Sequence, residues 1–469
     1  MAWPPCSQEE SVVYGQFKVA FSATPMWQKC VNNTDNSSSN VSNNGCVQWV
    51  YENPNSLVAE FQLAGQEWKR TLIGTMHNIG YMVGLIIVGS FSDRFGRKNA
   101  VAITATLGGF LGLAKSFSPS YWLYIALEFA EATFGDCYSP AYILTTEIVS
   151  LKDRLKFISI CKVGCSLSGI ALSVAAWQVP YWRTLLRVLY TPALLFFTYK
   201  IFLYESPRWL LIKGDRKKAA DILIAAAKKN KIELSSKILE GLTVDEAKPI
   251  NFLDVVKSTF RSNKLRGRVA MCLVWWITSA FVSHGMSINS VFLSGSKFIN
   301  FGLLSVLRLP GLFIIMYILT YGKRKFPLMC CFFAGAILCV SQPFIPPNLS
   351  WLSVMIYVIG DLMSSFFFYI TYLYTSELFP TYTRNTMHAL CSSVGRIGSI
   401  LAPQTPLLIS YWSGLPSMVF GLASLLAGLI TLLAPDVSNE ALPDTVEQAE
   451  ALGRKKLQTK NLSSEISRI

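Results

Sequence analysis

Apolar runs close to 20 residues long recur along most of this chain. They fall near 71–92, 99–116, 121–148, 157–178 and 181–203, and again near 269–291, 297–321, 326–344, 351–375, 385–411 and 415–434. Wound as a helix, such a run crosses a hydrocarbon layer about 30 Å thick. A polar stretch of helical character, 204–268, separates the two sets, and a polar tail, 435–469, closes the chain. The pattern predicts an all-α membrane protein with about eleven spans, five before the central loop and six after it. The start is different. Its apolar piece, Val12 to Phe21, is interrupted by Gln16 and Lys18. It is too short to span comfortably, and it lacks the basic start and long apolar centre of a signal peptide.

Charge gives these spans a direction. Charged residues make up 15% of the chain and hydrophobic ones 52%, where a soluble domain carries about 25% charged residues. The net charge of +14 could signal nucleic acid, but the Lys and Arg residues sit in short clusters between apolar runs. These clusters are Arg94, Arg97 and Lys98; Lys152, Arg154 and Lys156; Lys213 and Arg216 to Lys218; Lys323 to Lys325; Arg384; and Arg454 to Lys456. Threaded alternately, all fall on one side of the bilayer, the side retained in the cytoplasm. A lipid bilayer, not nucleic acid, is the expected partner. The stretch 27–67 then lies outside, where Asn32, Asn36 and Asn40 each head a glycosylation sequon. Cys30 and Cys46 flank that polar stretch, and the same compartment allows them a disulfide. The expected division is a remnant and outer loop (1–70), a first bundle (71–203), a cytoplasmic loop (204–268), a second bundle (269–434) and a tail (435–469).

The two bundles carry a repeat. The run GSFSDRFGRK holds Gly89, Asp93, Arg94, Gly96, Arg97 and Lys98, and Tyr321-Gly322-Lys323-Arg324-Lys325 is an eroded copy of it. Gly96 and Gly322 lie 226 residues apart. Glu147 precedes Arg154 by seven positions, Glu377 precedes Arg384 by the same seven, and the two pairs lie 230 apart. Two features repeated at nearly one offset imply two homologous bundles. The glycines suit tight turns and close helix approach. The charges can latch helix ends together in one state and release them in another.

The run GSFSDRFGRK resembles the loop signature of the major facilitator superfamily. Four further stretches resemble its organic cation, anion and carnitine transporter family. These are Asn55-Ser-Leu-Val-Ala-Glu-Phe, Glu205-Ser-Pro-Arg-Trp-Leu, Tyr374-Thr-Ser-Glu-Leu-Phe-Pro-Thr and Leu442-Pro-Asp-Thr-Val-Glu. The resemblance implies the two-bundle major-facilitator fold on a twelve-helix plan, with the first helix largely missing here. It also implies a central cavity, alternating access without ATP, a monomer and a place in the plasma membrane. Glu128 stands where family members usually carry Arg, and Asp361 where many carry Lys.

Ionisable residues at bilayer depth are costly and mark function. Arg396 lies 12 residues beyond Arg384, roughly 18 Å inward at 1.5 Å per residue. It sits among the small residues of SSVGRIGS. The resemblance associates a basic residue there with anion and carnitine carriers and an acidic one with cation carriers. Arg396 therefore points to a carboxylate or sulfate met by a bidentate fork. Arg308 is a second cavity cation or a partner for Asp361. Lys162 is a further ligand or the partner of Asp136. Tyr138, Tyr142, Trp177, Phe281, Phe368 and Tyr372 are candidate cavity aromatics, and Asn289 and Ser290 either bind polar groups or join helices. The candidate gating set is Gly89, Asp93, Arg94, Gly96, Arg97, Glu147, Arg154, Glu377 and Arg384. With three His and no CxxC at metal spacing, no metal, cofactor or enzymatic constellation is expected. The sequence thus predicts a secondary transporter of small organic ions, leaning to anions or zwitterions such as carnitine. An organic cation carrier is the alternative, and a truncated non-transporting membrane protein or sensor is a reading of another class.

Overall fold

The computed structural model describes residues 26–29, 48–51, 53–149, 154–231, 259–321, 324–436, 443 and 446–451. Each of the eleven apolar runs is helical there. The first half holds α1 (Glu67–Phe95), α2 (Arg97–Lys115), α3 (Tyr121–Phe134), α4 (Tyr138–Ile148), α5 (Arg154–Gln178) and α6 (Trp182–Tyr190). The second half holds α7 (Asn263–Asn289), α8 (Lys297–Tyr321), α9 (Lys325–Ser341), α10 (Ser350–Glu377), α11 (Thr381–Leu401) and α12 (Leu415–Leu432). Eight helices among the described residues are long and apolar enough to cross a membrane. Between the halves, Pro207–Ile212 and Arg216–Asn230 are helical.

Local chemistry sets the ends and breaks. Ser120 starts α3 by accepting from Leu123 N, and Ser262 starts α7 by accepting from Leu265 N, as N-cap hydroxyls do. Prolines lack the N–H that a helix interior needs. Accordingly α6 passes into a 3-10 stretch over Thr191–Thr198, and α11 into another over Ala402–Ser410 that carries Pro403 and Pro406. The run 121–148, expected as one span, is broken into α3 and α4. A Cβ on Gly135 would stand 2.6 Å from Glu131 O and 2.8 Å from Gly108 Cα. Only glycine lets the chain turn there against α2. Asp136 then caps α4, accepting from Tyr138 N (3.1 Å), Ser139 N (3.3 Å) and Ser139 Oγ (2.6 Å).

Each half has its own core. In the first, Leu57, Ile73, Tyr124, Ile125, Trp182 and Leu186 pack together. In the second, Trp275, Phe332, Phe367, Tyr374 and Phe420 belong to one larger cluster. Large apolar side chains such as Ile86, Phe110 and Ile337 remain exposed, as the bilayer-facing surface of such a bundle requires. The halves meet along two seams, α1 against α11 with its 3-10 extension and α5 against α8. At the first seam Gln404 accepts from Thr71 Oγ1 (3.0 Å) and donates to Thr75 Oγ1 (2.5 Å). At the second, Leu172, Ala176 and Phe301 share a buried cluster.

A two-stranded antiparallel ribbon, β1 (Met26–Lys29) and β2 (Gln48–Tyr51), precedes the helices and pairs Lys29 with Gln48. Asn32, Asn36, Asn40, Cys30 and Cys46 lie outside the described residues, as does the segment Val12 to Phe21.

Candidate functional site

At the end of the molecule that carries the basic loops, the two halves use the same device. Arg97 leaves the turn after α1. It pairs with Asp93 Oδ1 (2.9 Å) and Glu147 Oε2 (3.4 Å), and it donates to Ser92 O five residues back (3.1 Å). Arg324 pairs with Glu377 (3.2 Å) and donates to Leu319 O, also five back (2.7 Å). Arg324 is thus the working counterpart of Arg97 in the eroded copy, and Glu377 the counterpart of Glu147. Arg384 lies close enough to act electrostatically on Glu377. The side chain of Arg154 is outside the described residues.

Glu205, in the run Glu205-Ser-Pro-Arg-Trp-Leu, was given no role by the sequence reading, yet it completes the first latch. Its Oε1 accepts from Arg97 N (2.9 Å) and Lys98 N (3.1 Å) at the start of α2, where a carboxylate complements the helix dipole. Trp209 Nε1 donates to Asp93 O (2.9 Å). Gly96 sits beneath Glu205 with φ of 98°, and a Cβ there would overlap the Glu205 carboxylate. Gly96→Ala therefore meets both backbone strain and a clash. The expected result is lower expression and a melting temperature several degrees lower in detergent. An unchanged melting curve would show that this turn does not need glycine. Gly89 differs, since a Cβ there meets nothing within 4 Å. Arg94 is exposed and lies over Phe95 (5.6 Å).

Deeper in the bundle, Arg396 reaches across the first seam. Its guanidinium carbon lies 5.4 Å from the centre of the Tyr81 ring on α1. Gly395 and Gly398 let α11 lie directly on the α7 backbone at Trp276 and Ile277, and Arg396, one step round the helix, is turned toward the other half. Its charge acts on Asp136 and on the buried His284. Lys162 lies over the Tyr369 ring (4.6 Å), spanning from α5 to α10, while Asp136 caps α4. The Lys162–Asp136 pair weighed from the sequence is therefore replaced by an aromatic contact and a helix cap. Tyr138 and Tyr142 stack 6.2 Å apart. Tyr142 and Lys162 both act electrostatically on Tyr372, so residues of both halves converge here.

Other candidates sit elsewhere. Arg308 grips Asp361 by two bonds (Nε–Oδ2 3.2 Å, Nη2–Oδ1 3.1 Å) and also donates to Ser287 Oγ (2.6 Å). Phe368 is buried against Trp276 and Phe281 packs on Phe420 (5.4 Å), both within the second core. Trp177 stays 68% exposed near the end of α5. Asn289 donates to Gly285 O and Thr405 Oγ1, and Ser290 to Ser287 O. All of these bonds join or brace helices.

Glu128 and Glu131, which the sequence places one turn apart as candidates for proton coupling, meet two partners it does not single out, His77 and Lys115. His77, Glu128 and Glu131 hold ligand-capable atoms within 4.8 Å of one another, but Lys115 Nζ already occupies the space between the carboxylates. Those residues fit an ion network better than a metal.

Comparison with known proteins assigns this architecture. The Major Facilitator Superfamily profile matches residues 54–403. Solute carrier family 22 member 3 of Rattus norvegicus is 30% identical over 414 residues, 87% of this chain and 74% of that protein. Member 2 of Homo sapiens matches with the same identity and coverage. Among solved structures, the inward-open conformation of the xylose transporter XylE from E. coli superposes with a TM-score of 0.66 at 17% identity, covering 94% of this chain and 97% of that one. This chain is a multi-pass plasma-membrane transporter of the major facilitator superfamily and belongs, within it, to the solute carrier 22 family of organic-ion transporters.

Proposed function

We propose that the protein carries small organic anions or zwitterions, carnitine among them, by alternating access. The observation that supports this most is the placement of Arg396 at the seam between the halves, against an aromatic face. Arg308 and Asp361 cancel within one ion pair, while Arg396 and Lys162 each lie against an aromatic ring at the junction of the two halves. A carboxylate arriving there gains a guanidinium fork. The ammonium of a zwitterion gains the ring faces of Tyr138, Tyr142 and Tyr372. The seam contacts Thr71 and Thr75 to Gln404 and Leu172 to Phe301 lie away from the basic loops. With those loops cytoplasmic, these contacts join the two halves on the outer side.

The aromatic set together with Asp136 also suits an organic cation, and one experiment separates the two. Tracer uptake is measured in cells expressing the chain at matched surface levels, with a monocarboxylate dye, carnitine and tetraethylammonium in parallel. Anion or carnitine uptake well above background, with tetraethylammonium near background, is the expected result. The reverse order would replace this reading with the cation carrier, and no uptake of any of the three would favour a non-transporting protein.

A further inference from the structure

The first bundle buries a charge network that substrate recognition at Arg396 does not use. Glu128 Oε1 lies 2.7 Å from His77 Nδ1, and Glu128 Oε2 lies 2.7 Å from Lys115 Nζ. Glu131 Oε2 lies 3.2 Å from Lys115 Nζ and 3.9 Å from His77 Nδ1. Tyr190 OH donates to the other Glu131 oxygen (2.9 Å) and stands 3.3 Å from Lys115 Nζ. The groups come from four helices: His77 from α1, Lys115 from α2, Glu128 and Glu131 from α3, and Tyr190 from α6. The Lys115 and Glu128 side chains are 0% and 2% exposed, and Glu131 is the more open at 15%.

Two carboxylates and one ammonium leave this buried cluster at −1 when the imidazole is neutral. Burial makes an uncompensated charge costly. One proton on His77, whose Nδ1 lies 2.7 Å from the buried Glu128 carboxylate, brings the cluster to zero. The cluster also reaches the seam. His77 and Tyr81 are four residues apart on α1, about 5–6 Å between Cβ atoms, and Tyr81 carries Arg396 on its ring. Among the described residues, Arg396 of α11 reaches this part of α1 through the Tyr81 ring, and Asp136, ahead of α4, lies within the field of Arg396. A cluster at −1 competes with an anion for the field of Arg396, and a neutral cluster does not.

We infer that the His77–Glu128–Glu131–Lys115 network is a proton-binding site and that a proton taken up there favours the organic anion at Arg396, so that the two move together. The second half of this inference rests on the anion reading above. The step balances simply. One proton enters, by way of the more open Glu131, and the cluster goes from −1 to 0. The same proton leaves on the opposite side when the anion has gone and the charge is restored. Linkage requires the converse as well, so a bound anion tightens proton binding by the same factor.

Two measurements test the halves separately. The chain has three histidines, His77, His284 and His388, so a 15N-histidine spectrum of the purified full-length protein is assigned by subtracting that of His77→Gln. If the cluster takes up a proton, acidifying the sample should change the His77 signals from neutral to cationic imidazole. A His77 spectrum that acid leaves unchanged overturns the proton site, whatever the transport assay reads. In proteoliposomes, a two-unit gradient, acid outside, can drive accumulation up to about 100-fold for one proton per anion. Carnitine and a monocarboxylate dye are the probes. The ratio of gradient-driven uptake to exchange at equal pH should be well above one in the wild type. It should drop to about one in His77→Gln and Glu131→Gln. A merely structural network would lower both rates together and leave that ratio unchanged, which overturns the coupling. If neither probe is carried, the anion reading and the coupling fall, and the spectrum still decides the proton site.

Discussion

Arg396→Ala should reduce uptake of organic anions and carnitine by about 10- to 100-fold at unchanged surface expression. A hydrogen bond to a charged group contributes about 1.5–3 kcal/mol, and each 1.4 kcal/mol is tenfold in binding. A fork that loses both of its bonds sits at the upper end of that range. Arg396→Lys keeps the charge but not the planar fork or the stack on Tyr81, so it should retain part of the activity and bind carboxylates more weakly. Tyr81→Phe keeps the ring face and should change little. The size of the Ala effect depends on where Arg396 points. Gly395 and Gly398 face α7, which turns the intervening Arg396 toward α1 and the opposite half. A side chain in that place changes surroundings whenever the halves rock against each other. Anion uptake that survives Arg396→Ala at wild-type rate would remove Arg396 from recognition. A gain of tetraethylammonium uptake in Arg396→Glu would support it from the other side.

The spans were legible because bilayer thickness forces apolar runs of one length, and each of the eleven runs has become helix. The break at Gly135 was not legible from hydropathy. It depends on Gly108 lying opposite on another helix, a contact between residues 27 apart in sequence. The latches were half legible. The repeat pointed to Glu147 and Glu377, but matching the loop copies by their glycines sets Arg97 against Lys323. The structure instead has Arg97 and Arg324 each pair with the equivalent glutamate and donate to the carbonyl five residues back. Lys115 stands at the end of an apolar run and His77 is one of three histidines in the chain, and neither carries a motif. Their common partner Glu128 is 13 residues from one and 51 from the other. Charged residues met singly along the chain read as topology or as anomalies. Only the packing of four helices shows that they share one network.

Asp361 shows the same point with the largest expected effect on stability. Asp361→Ala should destabilise the protein by about 3–5 kcal/mol, the cost of leaving one member of a buried pair uncompensated. Asp361 is 1% exposed, and Arg308, with its side chain 18% exposed, has the carboxylate and Ser287 Oγ as described partners. Thermal unfolding in detergent measures this directly. The double change Arg308→Leu with Asp361→Leu should recover most of the loss, because an apolar pair of similar volume is often neutral where an orphaned charge is not. A double variant no more stable than Asp361→Ala would show that the cost comes from lost packing and not from the unpaired guanidinium. The same double variant also decides what Arg308 is for. If the pair is a strut between α8 and α10, the folded double variant still carries anions. If Arg308 is released to the substrate during the cycle, the double variant folds and anion uptake falls as it does in Arg396→Ala. The bidentate grip and the third bond to Ser287 favour the strut, since a cation committed to three oxygens must break every one of those bonds before it can serve a ligand.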